Sequence, residues 1–133
     1  MPETPSKKQL VLLVDDDQFL VNMYTLKFRN SGFEAETASS AAAALQKLRE
    51  GLLPAAILCD LVMPGVDGIE FLKRVKDERL APAASLIVLT NQSQSAEMEK
   101  ANALGVAGYI VKASAIPSEV VEEVKAILAK KSK

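Results

Sequence analysis

Leu10-Val11-Leu12-Leu13-Val14-Asp15-Asp16-Asp17 sets five apolar residues directly against three acids. A run that short and that uniformly apolar fits a central parallel strand covered on both faces, with the acids just beyond its carboxyl end. Two further runs share its character, Ala55-Ala56-Ile57-Leu58-Cys59 and Leu86-Ile87-Val88-Leu89. Phe33-Glu34-Ala35-Glu36-Thr37 instead alternates, the period-two pattern of a half-exposed edge strand whose charges discourage edge pairing. With the amphipathic stretches between them, the pattern predicts strands at 10–14, 33–38, 55–60, 85–90 and 108–111, and helices at 17–30, 40–50, 67–78, 95–104 and 118–130. Gly32, Gly51 and Gly105 stand where helix ends call for a left-handed residue. Ser118, after Pro117, is expected to cap the last helix, whose apolar face is Val120, Val121, Val124, Ile127 and Leu128. This five-fold βα alternation predicts an α/β fold, a doubly wound five-stranded parallel sheet of order 2-1-3-4-5 with right-handed crossovers.

The chain's 133 residues suffice for one domain with a closed core and neither disulfide nor structural metal. Residues 1–8 read as a flexible N-terminal leader, 9–130 as the domain and 131–133 as a basic tail. A composition of 49% hydrophobic and 25% charged residues is that of a soluble globular protein. The balance of 16 Lys and Arg against 17 acids lacks the basic excess of a phosphate-backbone binder, so no direct nucleic-acid contact is expected. The absence of histidine removes Ser-His-Asp and Cys-His nucleophile schemes and most catalytic zinc sites. Cys59, alone and inside an apolar run, reads as a buried strand residue. Leu10–Val14 is too short for a signal peptide or membrane span, so a cytoplasmic location and no membrane contact are expected.

Ligands of an open α/β sheet bind beyond the carboxyl ends of its strands. The residues placed there are Asp15, Asp16 and Asp17, then Asp60, Thr90 and Lys112: four acids, a hydroxyl and an ammonium on one rim. Carboxylates drawn that close repel one another unless a cation lies among them. With only oxygen ligands on offer Mg²⁺ is the best candidate, since it favours one or two carboxylates together with waters and a phosphate oxygen. Lys112 and Thr90 suit a transferred phosphoryl group. An aspartate with an ordinary pKa near ~4 is ionised at neutral pH and attacks phosphorus without a general base, so the missing histidine is no handicap.

From Leu10 to about Lys130 these residues resemble the receiver domains of bacterial two-component response regulators, of the chemotaxis-regulator kind. The resemblance rests on Leu13-Val14-Asp15-Asp16-Asp17, on Asp60-Leu61-Val62-Met63-Pro64-Gly65-Val66-Asp67-Gly68, on Leu89-Thr90 and on Gly108-Tyr109-Ile110-Val111-Lys112, in the family's order. It implies a flavodoxin-like (βα)5 domain that is a phosphoacceptor switch rather than an enzyme acting on other substrates. In that reading Asp60 takes the phosphoryl group, Asp15, Asp16, Asp60 and the backbone carbonyl of Val62 hold Mg²⁺, and Thr90 and Lys112 bind the phosphoryl oxygens. Tyr109 would reorient with Thr90 and alter the face formed by 95–104, 108–111 and 118–130, where an unknown downstream protein target would dock. The donor would be a phosphohistidine on a sensor histidine kinase or histidine phosphotransfer protein. By family position Val62 and Gln92 flank the hydrolytic water, and since valine offers it no hydrogen bond a long-lived phosphoryl state is expected.

Two positions depart from the family pattern, Ala113 where proline is usual after Lys112 and Asn91 where a small residue is usual after Thr90. A non-proline cis bond costs about 3–4 kcal/mol, so the Lys112–Ala113 bond is expected to be trans. Asp17 and Asp67 read as helix caps rather than ligands. Two other functions compete. A phosphatase of the haloacid-dehalogenase type would use Asp15-x-Asp17 and carry its label on Asp15, but the chain offers no acids just after Lys112 to complete that metal site. An interaction module that is never phosphorylated would have no use for the full set of Asp15, Asp16, Asp60, Thr90 and Lys112.

Overall fold

The computed structural model describes residues 8–63, 65, 67–91 and 95–131. Residues 1–7 of the expected leader, 132 and 133 of the tail, Pro64, Val66 and Gln92 lie outside the described residues. The elements run β1 (Leu10–Val14), α1 (Gln18–Asn30), β2 (Glu34–Ala38), α2 (Ala41–Arg49), β3 (Ala56–Cys59), α3 (Gly68–Asp77), β4 (Ser85–Thr90), α4 (Ser95–Ala103), β5 (Gly108–Val111) and α5 (Pro117–Lys131). All strand pairs are parallel and their order is β2-β1-β3-β4-β5. Both the strand order and the alternation agree with the expectation.

Residue parity along each strand decides which face a side chain joins. Leu12, Val14, Ile57, Cys59 and Val88 point to one side and pack with Leu45, Phe71 and Leu72 of α2 and α3. Val11, Leu13, Leu58, Ile87 and Leu89 point to the other and pack with Phe28 of α1 and Val120 and Val124 of α5. The apolar runs are apolar at both parities because β1, β3 and β4 feed two cores at once. Edge strand β2 buries Ala35 and exposes Glu34 and Glu36, as its alternation predicts, and Lys47 of α2 pairs with Glu36 at 3.0 Å.

The caps explain most helix starts. Asp17 accepts from the Leu20 amide at 3.2 Å and Asp67 from the Glu70 amide at 2.9 Å, so both acids are caps as read. Ser118 is not one. α5 begins at Pro117, whose fixed φ suits the first helical position, and the preceding Ile116 amide donates to Glu119 Oε1 at 3.0 Å. Glu119 thus supplies the return bond of a capping box, and Ser118 falls inside the first turn.

Gly32, Gly51 and Gly105 all have positive φ, as expected at helix ends. α3 ends differently: Arg79 takes the left-handed position with φ 55°, while the Leu80 amide reaches back to Val75 and the Arg79 amide to Lys76. An L-residue with a side chain is disfavoured there, and glycine is not. Arg79→Gly is therefore expected to raise stability by roughly 0.5–1 kcal/mol, after allowing for glycine's greater freedom when unfolded. Urea unfolding of the two proteins checks this, and a destabilised variant would show that the Arg79 side chain contributes more than its backbone loses.

Candidate functional site

Register brings the site together. Val14 lies beside Cys59, so Asp15 and Asp60 leave adjacent strands at the same level. The Asp60 amide donates to the Val14 carbonyl at 3.0 Å, which keeps the two strands paired up to the acids. Thr90 ends β4 beside Val111, and Lys112 follows directly, entering a short 3₁₀ turn over Lys112–Ser114.

Lys112 Nζ donates to Asp15 Oδ2 at 2.5 Å and to Asp60 Oδ2 at 3.1 Å. Asp60 Oδ1 accepts from the Thr90 hydroxyl at 2.7 Å and from the Val62 amide at 3.2 Å. Asp15 Oδ1 accepts from the Asp17 amide at 3.0 Å. Asp15 and Asp60 are buried, Thr90 is wholly so, and Asp16 is exposed at the rim. One carboxylate oxygen from each of Asp15, Asp16 and Asp60 lies within 4.8 Å of the others. Three carboxylates facing one ammonium leave two negative charges, and every available ligand atom is a hard oxygen. That donor set fits a divalent cation of the Mg²⁺ kind.

Burial pushes the Asp15 carboxyl above its usual range, against the hydrogen bonds from Lys112 and the Asp17 amide. Burial alone would lower Lys112, but its hydrogen bond to Asp15 and the negative charge of Asp60 outweigh that and hold the ammonium above its usual value. Geometry favours the ionised pair, because both Asp15 oxygens accept from donors.

Neighbouring residues divide sharply. Cys59 is fully buried, its thiol faces the Asp60 carbonyl at 3.1 Å, and burial together with the charges of Asp60 and Asp15 pushes its pKa well up. Tyr109 lies half-buried on β5 against the α2–α4 side of the core, with Glu97 and Asp60 near enough to add to the effect of burial on its hydroxyl. Thr90 already touches Asp60, so any movement of this hydroxyl toward a phosphoryl group starts from that bond. The Val62 side chain stands 57% exposed at the rim, and its counterpart Gln92 lies outside the described residues. Among the described residues no peptide bond is cis, so the bond after Lys112 is trans as expected.

Gly68 holds the start of α3 against the chain just beyond β3, at Asp60. A Cβ there would lie 2.2 Å from the Asp60 carbonyl oxygen and 2.6 Å from Leu61 Cα. The start of α3 therefore rests directly on the peptide that carries Asp60. No local sequence signal separates this glycine from one that merely opens a helix.

The sequence profile of the response regulator receiver domain matches residues 11–125, and the chain belongs to that family. Members receive phosphoryl groups in phosphorelay signal transduction, and that is the class of function the fold and acids define here. Among relatives, the DNA-binding response regulator MtrA of Mycobacterium tuberculosis (strain ATCC 25618 / H37Rv) is 31% identical over 121 residues, 91% of this chain and 51% of that protein. The alkaline phosphatase synthesis transcriptional regulatory protein PhoP of Bacillus subtilis (strain 168) is 32% identical over 118 residues, 89% of this chain and 48% of that one. The chain thus spans about half the length of the curated relatives it matches. Among solved structures, chemotaxis protein CheY4 of Vibrio cholerae superposes with a TM-score of 0.83 at 26% identity, covering 91% of this chain and 99% of that one. A CheY-like receiver domain protein from Methanospirillum hungatei JF-1 gives 0.87 at 25% identity, covering 95% and 98%. No helix among the described residues is long and apolar enough to cross a membrane.

Proposed function

We propose that Asp60 is the phosphoacceptor and that the donor is a phosphohistidine on a sensor kinase or phosphotransfer protein. The observation that carries this is the setting of Asp60: a buried carboxylate whose two oxygens are held by Thr90, the Val62 amide and Lys112, with Asp15 and Asp16 alongside. In the transfer an Asp60 oxygen forms the new P–O bond while the P–N bond breaks and its electron pair stays on the donor imidazole. Mg²⁺, held by Asp15, Asp16, Asp60 and the Val62 carbonyl, would neutralise phosphoryl oxygens as they approach the acids. Lys112 and Thr90 would pass from Asp60 to the phosphoryl oxygens, since an ammonium and a hydroxyl both favour the more charged acceptor. Thr90's shift would open space to Tyr109 and restate the event on the face built from α4, β5 and α5, where a downstream protein docks. The DNA-binding named for MtrA belongs to that longer protein. For this chain, with its net charge of −1, we assign the phosphoryl-receiving role without direct nucleic-acid contact.

The test is mass spectrometry after acetyl phosphate with Mg²⁺. The wild type is expected to gain one phosphoryl group on a peptide containing Asp60, and Asp60→Asn none. Label on Asp15 would instead indicate the phosphatase-like alternative, and no label from any donor the unphosphorylated interaction module.

A further inference from the structure

At the end of the sheet opposite Asp60, the C-terminal ends of α3 and α5 and the turn after α4 surround an open cleft of about 610 Å³. That is within the range of small-molecule sites. Its walls are apolar, formed chiefly by Val75, Leu80, Leu86 and Ile127, while Lys76, Arg79 and Lys130 are the charged residues at its lining. Among the described residues no carboxylate lines it, although acids slightly outnumber bases over the whole chain.

Basic residues near helix C-termini often do no more than complement the helix dipole. Here magnitude argues for more. Three helix ends supply about half a negative charge each, against three full positive charges, so the cleft keeps a net positive field. None of the three cations makes an ion pair among the described residues, and the nearby acid Glu78 is already taken by Arg49 through bonds of 2.8 and 2.6 Å. Lys76 is also placed: its Nζ lies 3.0 Å from where a Gly105 Cβ would be, so its stem spans from α3 to the end of α4.

Backbone strain is an independent observation at the same spot. Arg79 and Ala81, with φ 55° and 43°, are the only non-glycine residues with positive φ among the described residues, and both line the cleft. Strain of this kind collects at ligand clamps, and here it presents a guanidinium where glycine would suit the backbone better.

We propose that this cleft binds a small amphipathic anion, an apolar body bearing one acidic group, with the body against Leu80, Leu86 and Ile127 and the acid among Lys76, Arg79 and Lys130. The site is independent of the phosphoryl chemistry at the other end of the sheet. The probe is anilinonaphthalene sulfonate, titrated into the full chain by fluorescence and by amide chemical shifts, beside its uncharged analogue phenylnaphthylamine. One saturable site is expected, with shifts clustered on residues 75–86, 105–107 and 127–130. The uncharged analogue is expected to bind about fivefold more weakly, as are Arg79→Gly and Lys130→Gln with the sulfonate, that being the usual worth of one partly exposed charge. Arg79→Gly is the sharper variant because it should fold more stably than wild type, so weaker binding would not reflect unfolding. Equal binding of the charged and neutral probes, shifts centred elsewhere, unchanged affinity in both variants, or no saturation would each overturn the proposal.

Discussion

Without Mg²⁺, Lys112→Met is expected to lose about 3 kcal/mol of stability at neutral pH, and to recover more of its stability than wild type does when Mg²⁺ is added. Removing one partner of a buried ion pair leaves the others uncompensated, and here one ammonium serves two carboxylates whose side chains are 9% and 11% exposed. A divalent cation among Asp15, Asp16 and Asp60 can replace the lost charge, so the variant should depend on metal where the wild type merely benefits. The folded-state value of Lys112 is raised, so its contribution is fully present through neutral pH and is lost only as the pH climbs through its alkaline titration. The deficit should accordingly be flat around neutrality. Thermal unfolding in chelator and in Mg²⁺ reads both parts, with the chelated variant melting on the order of 10 °C lower. Equal stabilisation of both proteins by Mg²⁺ would mean that the metal does not enter this cluster.

Gly68→Ala is expected to cost about 3 kcal/mol and, on the role proposed for Asp60, to lower phosphoryl incorporation there as well. The added methyl would meet backbone on both sides, the Asp60 carbonyl oxygen at 2.2 Å and Leu61 Cα at 2.6 Å, and backbone cannot rotate away as a side chain can. Either α3 lifts from the sheet or the Asp60 peptide turns, and both disturb the carboxylate that Thr90 and Lys112 hold. Gly108→Ala is the control: its closest contact, 2.7 Å, is the tip of Ile127, which can change rotamer, so a much smaller loss is expected. Similar losses at the two positions in urea unfolding would sink the steric argument.

The central strands were legible in the sequence because burial on both faces leaves no polar parity: the bounds read for 10–14 and 85–90 match β1 and β4, that read for 55–60 overshoots β3 by one residue at each end, and the edge strand read at 108–111 matches β5. Helix ends were legible where glycine or an acidic cap marked them. They were obscure at α3, where Arg79 does glycine's work, and at α5, where Glu119 three residues on from Ile116 outranks Ser118. The convergence of Asp15, Asp16, Asp60, Thr90 and Lys112 followed from one rule, that strand ends share a rim. Which oxygen each donor takes did not follow, because it depends on the register and on the turn over Lys112–Ser114. Gly68 and the basic cleft were hidden for the same reason: each is made by segments far apart in sequence, and neither carries a local pattern.

Cys59 stands one residue before Asp60, yet it is sealed in the core with its thiol kept protonated. Oxidants act on accessible thiolates, so the most reactive atom type in the chain cannot be written on by peroxide or by disulfide exchange. The chain also has no imidazole to register modest swings in acidity. Among the described residues the rim at the end of β3 therefore presents carboxylates, a hydroxyl and one ammonium, with neither an accessible thiol nor an imidazole beside them.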